Sequence, residues 1–324
     1  HWEDQRLRGI EAAWYQRELT IPREWAGRRI RLRTEYVNSF AAVFLDGNRV
    51  GEIHFPGGDV DISADCRPGE NHTLSVLVVA MPLQGVMLSY TDSASAREVK
   101  GSVARRGLCG DVWLVSTPCG TRIGDVRIET SVRKPELAVS AEIVRLPPGG
   151  QARFRLRVNE AGAVVKAFTS PRFSNRDLKN GRIRIAETWK PDRLWDTHTP
   201  QHMLSLELAL MDGMGNVLDT AWPEQFGFRE FWIEGRDFYL NGTRIFLSAV
   251  PLDNAQVSAG LATYPATRES LERLRRFGIN FVYTHNYNCL PGSHLGFTDI
   301  LRAADDVGML VLTGLQYRMF YRTG

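Results

Sequence analysis

The 324-residue sequence has little of what marks several common classes of protein. Its four cysteines show no metal-ligand spacing, and so few in a long chain do not make a disulfide framework. No apolar run approaches the ~20 residues of a membrane span. The net charge of +3 is too small to argue for a nucleic acid or an anionic membrane as partner. What remains is an ordinary globular composition, and we expect no metal and no cofactor.

The cysteines leave the cellular compartment open. Cys109 and Cys119 could form one bridge, whereas Cys66 and Cys289 are expected to be ordinary thiols. The first residues carry no recognisable signal peptide, which is uninformative about a leader. A periplasmic or secreted location is favoured over a cytoplasmic one, and the sequence does not decide between them.

The first two thirds of the chain read as two β-sandwiches. Residues 14–118 and 121–228 alternate apolar and polar side chains at period two, with Gly, Pro and Asn turns at short spacing. Arg28–Arg33 and Arg182–Arg184 alternate in the same way, so we expect solvated strand faces there rather than phosphate sites. Aromatic residues at strand-interior positions are expected to fill the cores, namely Trp14, Tyr15, Phe44, Trp113, Trp189 and Trp195.

The pattern changes after the stretch Phe226–Leu247, which holds two hairpin-type turns around Gly235 and Asn241-Gly242. Strand, helix, strand, helix and strand are then predicted in order, over Ile245–Val250, Thr267–Phe277, Ile279–Thr284, Gly296–Val307 and Met309–Thr313. The first helix should start at a capping box on Thr267. The apolar helix faces are expected to consist of Leu271, Leu274 and Phe277, and of Phe297, Ile300, Leu301 and Ala304.

These motifs resemble glycoside hydrolase family 2, which includes β-galactosidase, β-glucuronidase and β-mannosidase. The similarity rests on the Phe-Gly-Phe-Arg strand at Phe226–Arg229, the Asn241-Gly242 hairpin and the Trp189-x-Pro-x-x-Leu-Trp195 signature. The resemblance implies a multidomain β plus α/β fold. A jelly-roll β-sandwich would span residues 1–118 and an immunoglobulin-like β-sandwich residues 119–234. Residues 235–324 would form the first strands and helices of a TIM (β/α)8 barrel.

The resemblance also implies a retaining, exo-acting β-glycoside hydrolase that uses two glutamates, one as acid and one as nucleophile. In the family these follow later barrel strands. The chain beyond Arg236 supplies roughly 90 residues, about a third of the ~250 that a full barrel uses. No catalytic residue is therefore expected in this chain, and the remainder of the barrel would come from a missing or separate segment. Glu269 and Glu272 lie on a predicted helix flank and are not candidates.

Four residues are the candidates for substrate binding. Asp253 and Asn254 follow the first predicted strand, and His285 and Asn286 follow the second, where barrels build their sites. Each can hydrogen-bond sugar hydroxyls. The alternative is structural: Asp253-Asn254 as a turn and His285 bonded to a backbone carbonyl.

Two departures from the family motifs support a second hypothesis. Tyr283 and Gly110 stand where the family commonly has Arg. A non-catalytic carbohydrate-binding or structural relative is therefore kept as the alternative. Under either hypothesis the expected partner is a carbohydrate, with neither nucleic acid nor membrane, and association of identical chains stays open.

Overall fold

The computed structural model describes residues 9–35, 37–55, 57–81, 106–108, 110–252, 264–284 and 297–313. Most of these residues belong to three units, each around its own hydrophobic core, and a short three-stranded meander lies between the second unit and the third. Among them, no helix has the length and apolar character that crossing a membrane requires.

The described residues of the first β unit form nine antiparallel strands. One sheet has the order β1-β7-β4-β5, a second has the order β6-β2-β9, and β3 pairs with β8. Alternate side chains of both larger sheets enclose one core, which includes Ile30, Leu32, Val43 and Val76. The strands are β1 Ala12–Thr20, β2 Arg28–Thr34, β3 Val37–Asn38, β4 Phe40–Leu45, β5 Asn48–His54, β6 Gly58–Asp61, β7 Asn71–Val79, β8 Gly107–Leu108 and β9 Val112–Pro118.

The second β unit packs two further antiparallel sheets around Leu137, Phe154, Leu156 and Phe228. One sheet has the order β10-β11-β14, and the other has the order β13-β12-β15-β16 with β17 also on β15. The strands are β10 Arg122–Ser131, β11 Glu136–Val144, β12 Ala152–Glu160, β13 Ala163–Thr169, β14 Arg182–Thr188, β15 Met203–Asp212, β16 Val217–Thr220 and β17 Glu224–Gly227.

An antiparallel meander links the second β unit to the last group of elements. It consists of β18 Phe231–Glu234, β19 Asp237–Leu240 and β20 Thr243–Ile245. Both predicted turns are present, and Gly235, Asn241 and Gly242 have positive φ values of 61°, 55° and 96°.

The last group, the α/β unit, has the predicted order of strand, helix, strand, helix and strand. Its strands pair in parallel in the order β21-β22-β23, which excludes an antiparallel sheet or a purely helical segment here. Its core contains Leu252, Leu271, Val282 and Ile300. The elements are β21 Ala249–Pro251, α1 Tyr264–Arg276, β22 Phe281–Thr284, α2 Phe297–Val307 and β23 Leu310–Thr313.

Two of the aromatic residues predicted to fill the cores lie outside them. Trp14 is 60% exposed and Trp113 is 43% exposed, whereas Tyr15 and Phe44 are half-buried. Trp14 and Tyr15 are consecutive, so a strand that packs Tyr15 against the core must turn Trp14 outward. The prediction is correct for Trp195, which is fully buried, and for Trp189, which packs against the second core.

The element boundaries also differ from those predicted. The proposed strand Ile245–Val250 is two separate strands, and Phe246 between them is 84% exposed. Helix α1 starts at Tyr264, so Thr267 is not a cap but a fully buried residue inside the helix. The predicted apolar faces are wrong at Phe277 and Leu301, which are 85% and 46% exposed. In α2 the buried positions also include Ala303 and Val307.

Candidate functional site

The carboxyl edge of the parallel sheet is where the sequence places the substrate-binding residues. Pro251 of β21 lies beside Tyr283 of β22, and Tyr283 lies beside Leu312 of β23. The Leu252 N–H donates to the Tyr283 carbonyl at 2.9 Å, so the pairing continues to the end of β21. The chain therefore exits β21 and β22 at the same edge of the sheet. A site built from the loops that follow barrel strands requires this arrangement.

All four predicted substrate-binding residues lie outside the described residues, namely Asp253, Asn254, His285 and Asn286. They follow within three residues of the ends of β21 and β22 in the sequence, and their role stays a prediction. Tyr283, which stands in place of the family's Arg, is half-buried on β22.

A buried network fixes α2, and with it the α/β unit, to the second β unit. The indole Nε1–H of Trp195 donates to the backbone carbonyl of Asp305 at 2.9 Å. The Arg229 guanidinium lies 4.1 Å from the Trp195 ring centroid and pairs with the Asp305 carboxylate at 2.7 Å. Cation–π stacking and an ion pair thus converge on one Arg. Burial raises the pKa of Asp305 even though the Arg229 charge opposes that rise.

Asn241 and Glu230 extend this network to the meander. The Asn241 side-chain amide donates to the Trp195 carbonyl at 2.8 Å, and its oxygen accepts from the Glu230 N–H at 3.0 Å. Asn241, which has the left-handed conformation of a turn residue, therefore also anchors the meander to the second β unit.

The Glu230 carboxylate binds the turn after β10. It accepts hydrogen bonds from Ser131, Val132 and Arg133, whose donors are the Ser131 hydroxyl, the Val132 and Arg133 N–H groups and the Arg133 guanidinium. Burial alone would raise the pKa of Glu230. The hydrogen bonds, with that from the Arg133 side chain foremost, outweigh burial and bring the pKa to about 2.

An open cavity of about 370 Å³ lies between the second β unit and α2. Its carboxyl groups are Glu224 and Asp305, and Asp305 is committed to Arg229. Burial, with a smaller contribution from Asp125, raises the pKa of Glu224. Without two free carboxyl groups across a gap, this cavity does not fit glycoside hydrolysis. Its lining is Val126, Ile128, Thr130, Glu224, Gln225, Phe226, Gly227, Arg229 and Asp305.

The part of the chain that the structure describes contains neither a metal-binding cluster nor an activated thiol. No cluster of three or more His, Cys, Asp or Glu side chains suited to a metal occurs there. Cys66 is buried, and burial raises the pKa of its thiol, while Cys119 is exposed and free. Cys109 and Cys289 lie outside the described residues.

Sequence reasoning missed the roles of Arg229 and Asp305, although it identified their neighbour Trp195 as a packing residue. The available signal was the Arg that ends the Phe-Gly-Phe-Arg motif. A charged residue directly after the buried pair Gly227 and Phe228 needs a partner. No local pattern, however, indicates that this partner is 76 positions away on α2.

Comparisons with known proteins point to one class, the glycosidases. The chain is 27% identical to the β-glucuronidase of Felis catus, over 96% of this chain and 48% of the relative. It is 25% identical to the β-glucuronidase of Paenibacillus borealis, over 96% of this chain and 51% of the relative. The chain thus spans about half the length of the curated relatives that it matches. No family model matches.

Solved structures share the fold. A glycosyl hydrolase family 2 member from Bacteroides cellulosilyticus aligns with a TM-score of 0.67 at 17% identity, covering 93% of this chain and 37% of that chain. The β-glucuronidase of Ruminococcus gnavus aligns with a TM-score of 0.60 at 19% identity, covering 94% and 50%. The curated relatives, together with the fold shared with these structures, support the resemblance that the motifs indicate, namely to the amino-terminal portion of glycoside hydrolase family 2.

Proposed function

We propose that this chain is the amino-terminal part of an exo-acting, retaining β-glycoside hydrolase. Residues 1–118 would be its jelly-roll domain, residues 119–234 its immunoglobulin-like domain and residues 235–324 the start of its TIM barrel. The observation that carries the proposal is the parallel β21-β22-β23 sheet with its two helices, which follows two β-sandwich cores in the same chain. The family's catalytic glutamates, which follow later barrel strands, would lie outside this chain.

The proposed role of this chain is to position and to bind. Asp253, Asn254, His285 and Asn286 would contact sugar hydroxyls at the carboxyl edge of the sheet. The buried network around Trp195 would hold that edge in a fixed orientation on the second β unit. Because the curated relatives of Felis catus and Paenibacillus borealis are named β-glucuronidase, a β-glucuronide is the first substrate to test.

The second candidate, a non-catalytic carbohydrate-binding relative, is favoured by Tyr283. A half-buried phenol stands where the family's motif has a guanidinium, so a contact to an anionic sugar group would be lost. The two candidates differ in one measurable property, which is turnover of a glycoside.

The test uses the full-length gene product, including any coding sequence downstream of Gly324. It is assayed with nitrophenyl β-glucuronide, β-galactoside and β-mannoside, with the matching α-glycosides as controls. We expect release of nitrophenol from one β-glycoside, and ¹H NMR should show the β-anomer of the sugar forming first, as retention requires. Absence of turnover on every substrate, with sugar binding intact by calorimetry, would establish the second candidate instead.

A further inference from the structure

The outer face of the β6-β2-β9 sheet carries a ladder of arginines. Arg29, Arg31 and Arg33 lie on one side of β2, opposite the core-facing Ile30 and Leu32. Directly across on β9 are Thr117, Val115 and Trp113 respectively. On β6, Asp61 pairs with Arg29, while Asp59 is shared between Arg31 and Arg33.

The second β unit brings further cations to this face. Its strand β16 contacts β9, and Trp222, just after β16, meets Trp113 edge to face at 6.5 Å between ring centroids. Arg122, at the start of β10, experiences the positive charges of Arg145, Arg29 and Arg31. Burial and these charges lower the pKa of Arg122.

One carboxylate stands among these groups. Asp219 of β16 is attracted by both Arg28 and Arg122 and accepts a hydrogen bond from the Ile123 N–H at 2.9 Å. Burial nevertheless raises the pKa of Asp219, so its negative charge is poorly stabilised there. Arg28 is bonded to the neutral hydroxyl of Ser116 at 2.6 Å. Six guanidinium groups thus surround four carboxylates in the described part of this seam, the fourth being Glu35, which acts on Arg33 and accepts a hydrogen bond from the Trp113 indole.

Two polar atoms on the same outer face lack partners among the described residues. They are Nε of Arg31 and the hydroxyl oxygen of Thr117, and both are buried. In the register, Arg31 faces Val115 and Thr117 faces Arg29, so the two atoms belong to neighbouring rungs of one ladder. A buried polar atom without a partner is unfavourable, because the hydrogen bond that it makes to water in the unfolded chain is not replaced. A ligand with several acceptor oxygens would satisfy both the unpartnered donors and the excess positive charge.

We propose that the seam between the first and second β units is an oxyanion site, centred on Arg31, Arg122 and Thr117, that binds a sulfate or phosphate group. The sequence alone favours a solvated strand face for this arginine run. The structure agrees with that reading at Arg29 and Arg33, which are 40% and 47% exposed, but it also places further cations of the second β unit beside the ladder. The exposed ring of Trp113 lies on the same face and offers a surface for a sugar that carries the group. The shared chemistry is the oxyanion, either free or on a saccharide.

The experiment measures the thermal unfolding of the chain in sodium sulfate and in sodium chloride at matched ionic strength. We expect sulfate to raise Tm beyond chloride, since a ligand that binds only the native state stabilises it by mass action. In the Arg122→Gln variant, the sulfate-specific rise in Tm should fall to less than half of that of the parent. Without sulfate this variant should be at least as stable as the parent, because like-charge repulsion is relieved. The control is Arg157→Gln, which removes an exposed positive charge from β12 and should keep the full shift.

A second variant and a second ligand separate the remaining outcomes. Thr117→Val keeps the shape of the side chain and should also reduce the sulfate-specific shift. If glucose 6-sulfate binds more tightly than sulfate and Trp113→Ala removes only that gain, the natural source is a saccharide. If glucose 6-sulfate and sulfate bind equally tightly, the natural ligand is the free ion. Equal Tm shifts in sulfate and chloride, or an Arg122→Gln response equal to that of Arg157→Gln, would overturn the proposal. None of these readouts depends on glycosidase activity.

Discussion

The ion pair between Arg229 and Asp305 should respond very unequally to removal of its two members. The Arg229→Met variant leaves the Asp305 carboxylate in a buried setting with no cation. The side chains are 33% and 22% exposed, so the expected loss is about 2–3 kcal/mol, below the ~3–5 kcal/mol of a fully buried pair. Asp305→Asn should change stability by only about 0–1 kcal/mol. Burial raises the pKa of this carboxyl, which shows that its ionised form is not fully compensated even beside Arg229.

The double variant should be more stable than Arg229→Met alone, because it contains no orphaned charge. A double-mutant cycle should therefore give an interaction energy of about 1–2 kcal/mol. The pH dependence has a definite sign. A carboxyl whose folded pKa is raised is destabilising above that pKa and loses this effect when protonated. The deficit of Arg229→Met should thus be largest near pH 7 and shrink as the pH falls through the raised pKa of Asp305.

The assay is urea unfolding followed by tryptophan fluorescence, with the slope of the transition checked for constancy across variants. Arg127→Met, at an exposed site of β10, serves as the control for loss of a surface Arg. The reasoning fails if Asp305→Asn is as destabilising as Arg229→Met. It also fails if the two losses simply add in the double variant.

Three further predictions concern the same region and the proposed site. Glu230→Gln should reduce stability at pH 7 by roughly 3 kcal/mol, the equivalent of a pKa lowered from 4.5 to about 2. The difference from the parent should disappear in urea titrations as the pH falls from 4.5 towards 2. Gly308→Ala should lower Tm more than Gly235→Ala, since both have positive φ but only a Cβ at 308 meets the Thr197 carbonyl; equal losses would contradict the close approach. His285→Ala should lower kcat/KM of the full-length enzyme with little change in Tm, and an unchanged kcat/KM would remove His285 from the site.

Local pattern predicts the type and order of the elements, but not their boundaries or the strand order of the two antiparallel β units. Period-two alternation located strands such as Arg28–Thr34, and Gly278 and Gly308, with φ of 79° and 76°, mark the ends of both helices as expected. The parallel sheet follows from the alternation of strands and helices. It brings the ends of β21 and β22 to one edge, and the predicted site residues follow these two strands in the sequence.

The side chains that join the units could not be predicted in this way. Alternation does not say which of Trp14 and Tyr15 faces the core, since both are large and aromatic. Leu301 fits the helical period as well as Ala304 does, yet only Ala304 lies on the side that packs. Contacts such as that between Arg229 and Asp305 depend on how two finished units meet. That meeting is set by shape and burial over the whole interface, which no window of sequence contains.

The bond from the Trp195 indole to the Asp305 carbonyl spans 110 positions of the chain. A ribosome completes the second β unit before α2 emerges, and domains generally fold in that order during synthesis. We therefore expect α2 to dock onto an already folded template. Because the acceptor belongs to the main chain, this bond does not depend on the Asp305 side chain, whose carboxylate pairs with Arg229. One of the two links between α2 and the second β unit therefore survives a substitution at position 305, whereas replacing Trp195 removes it.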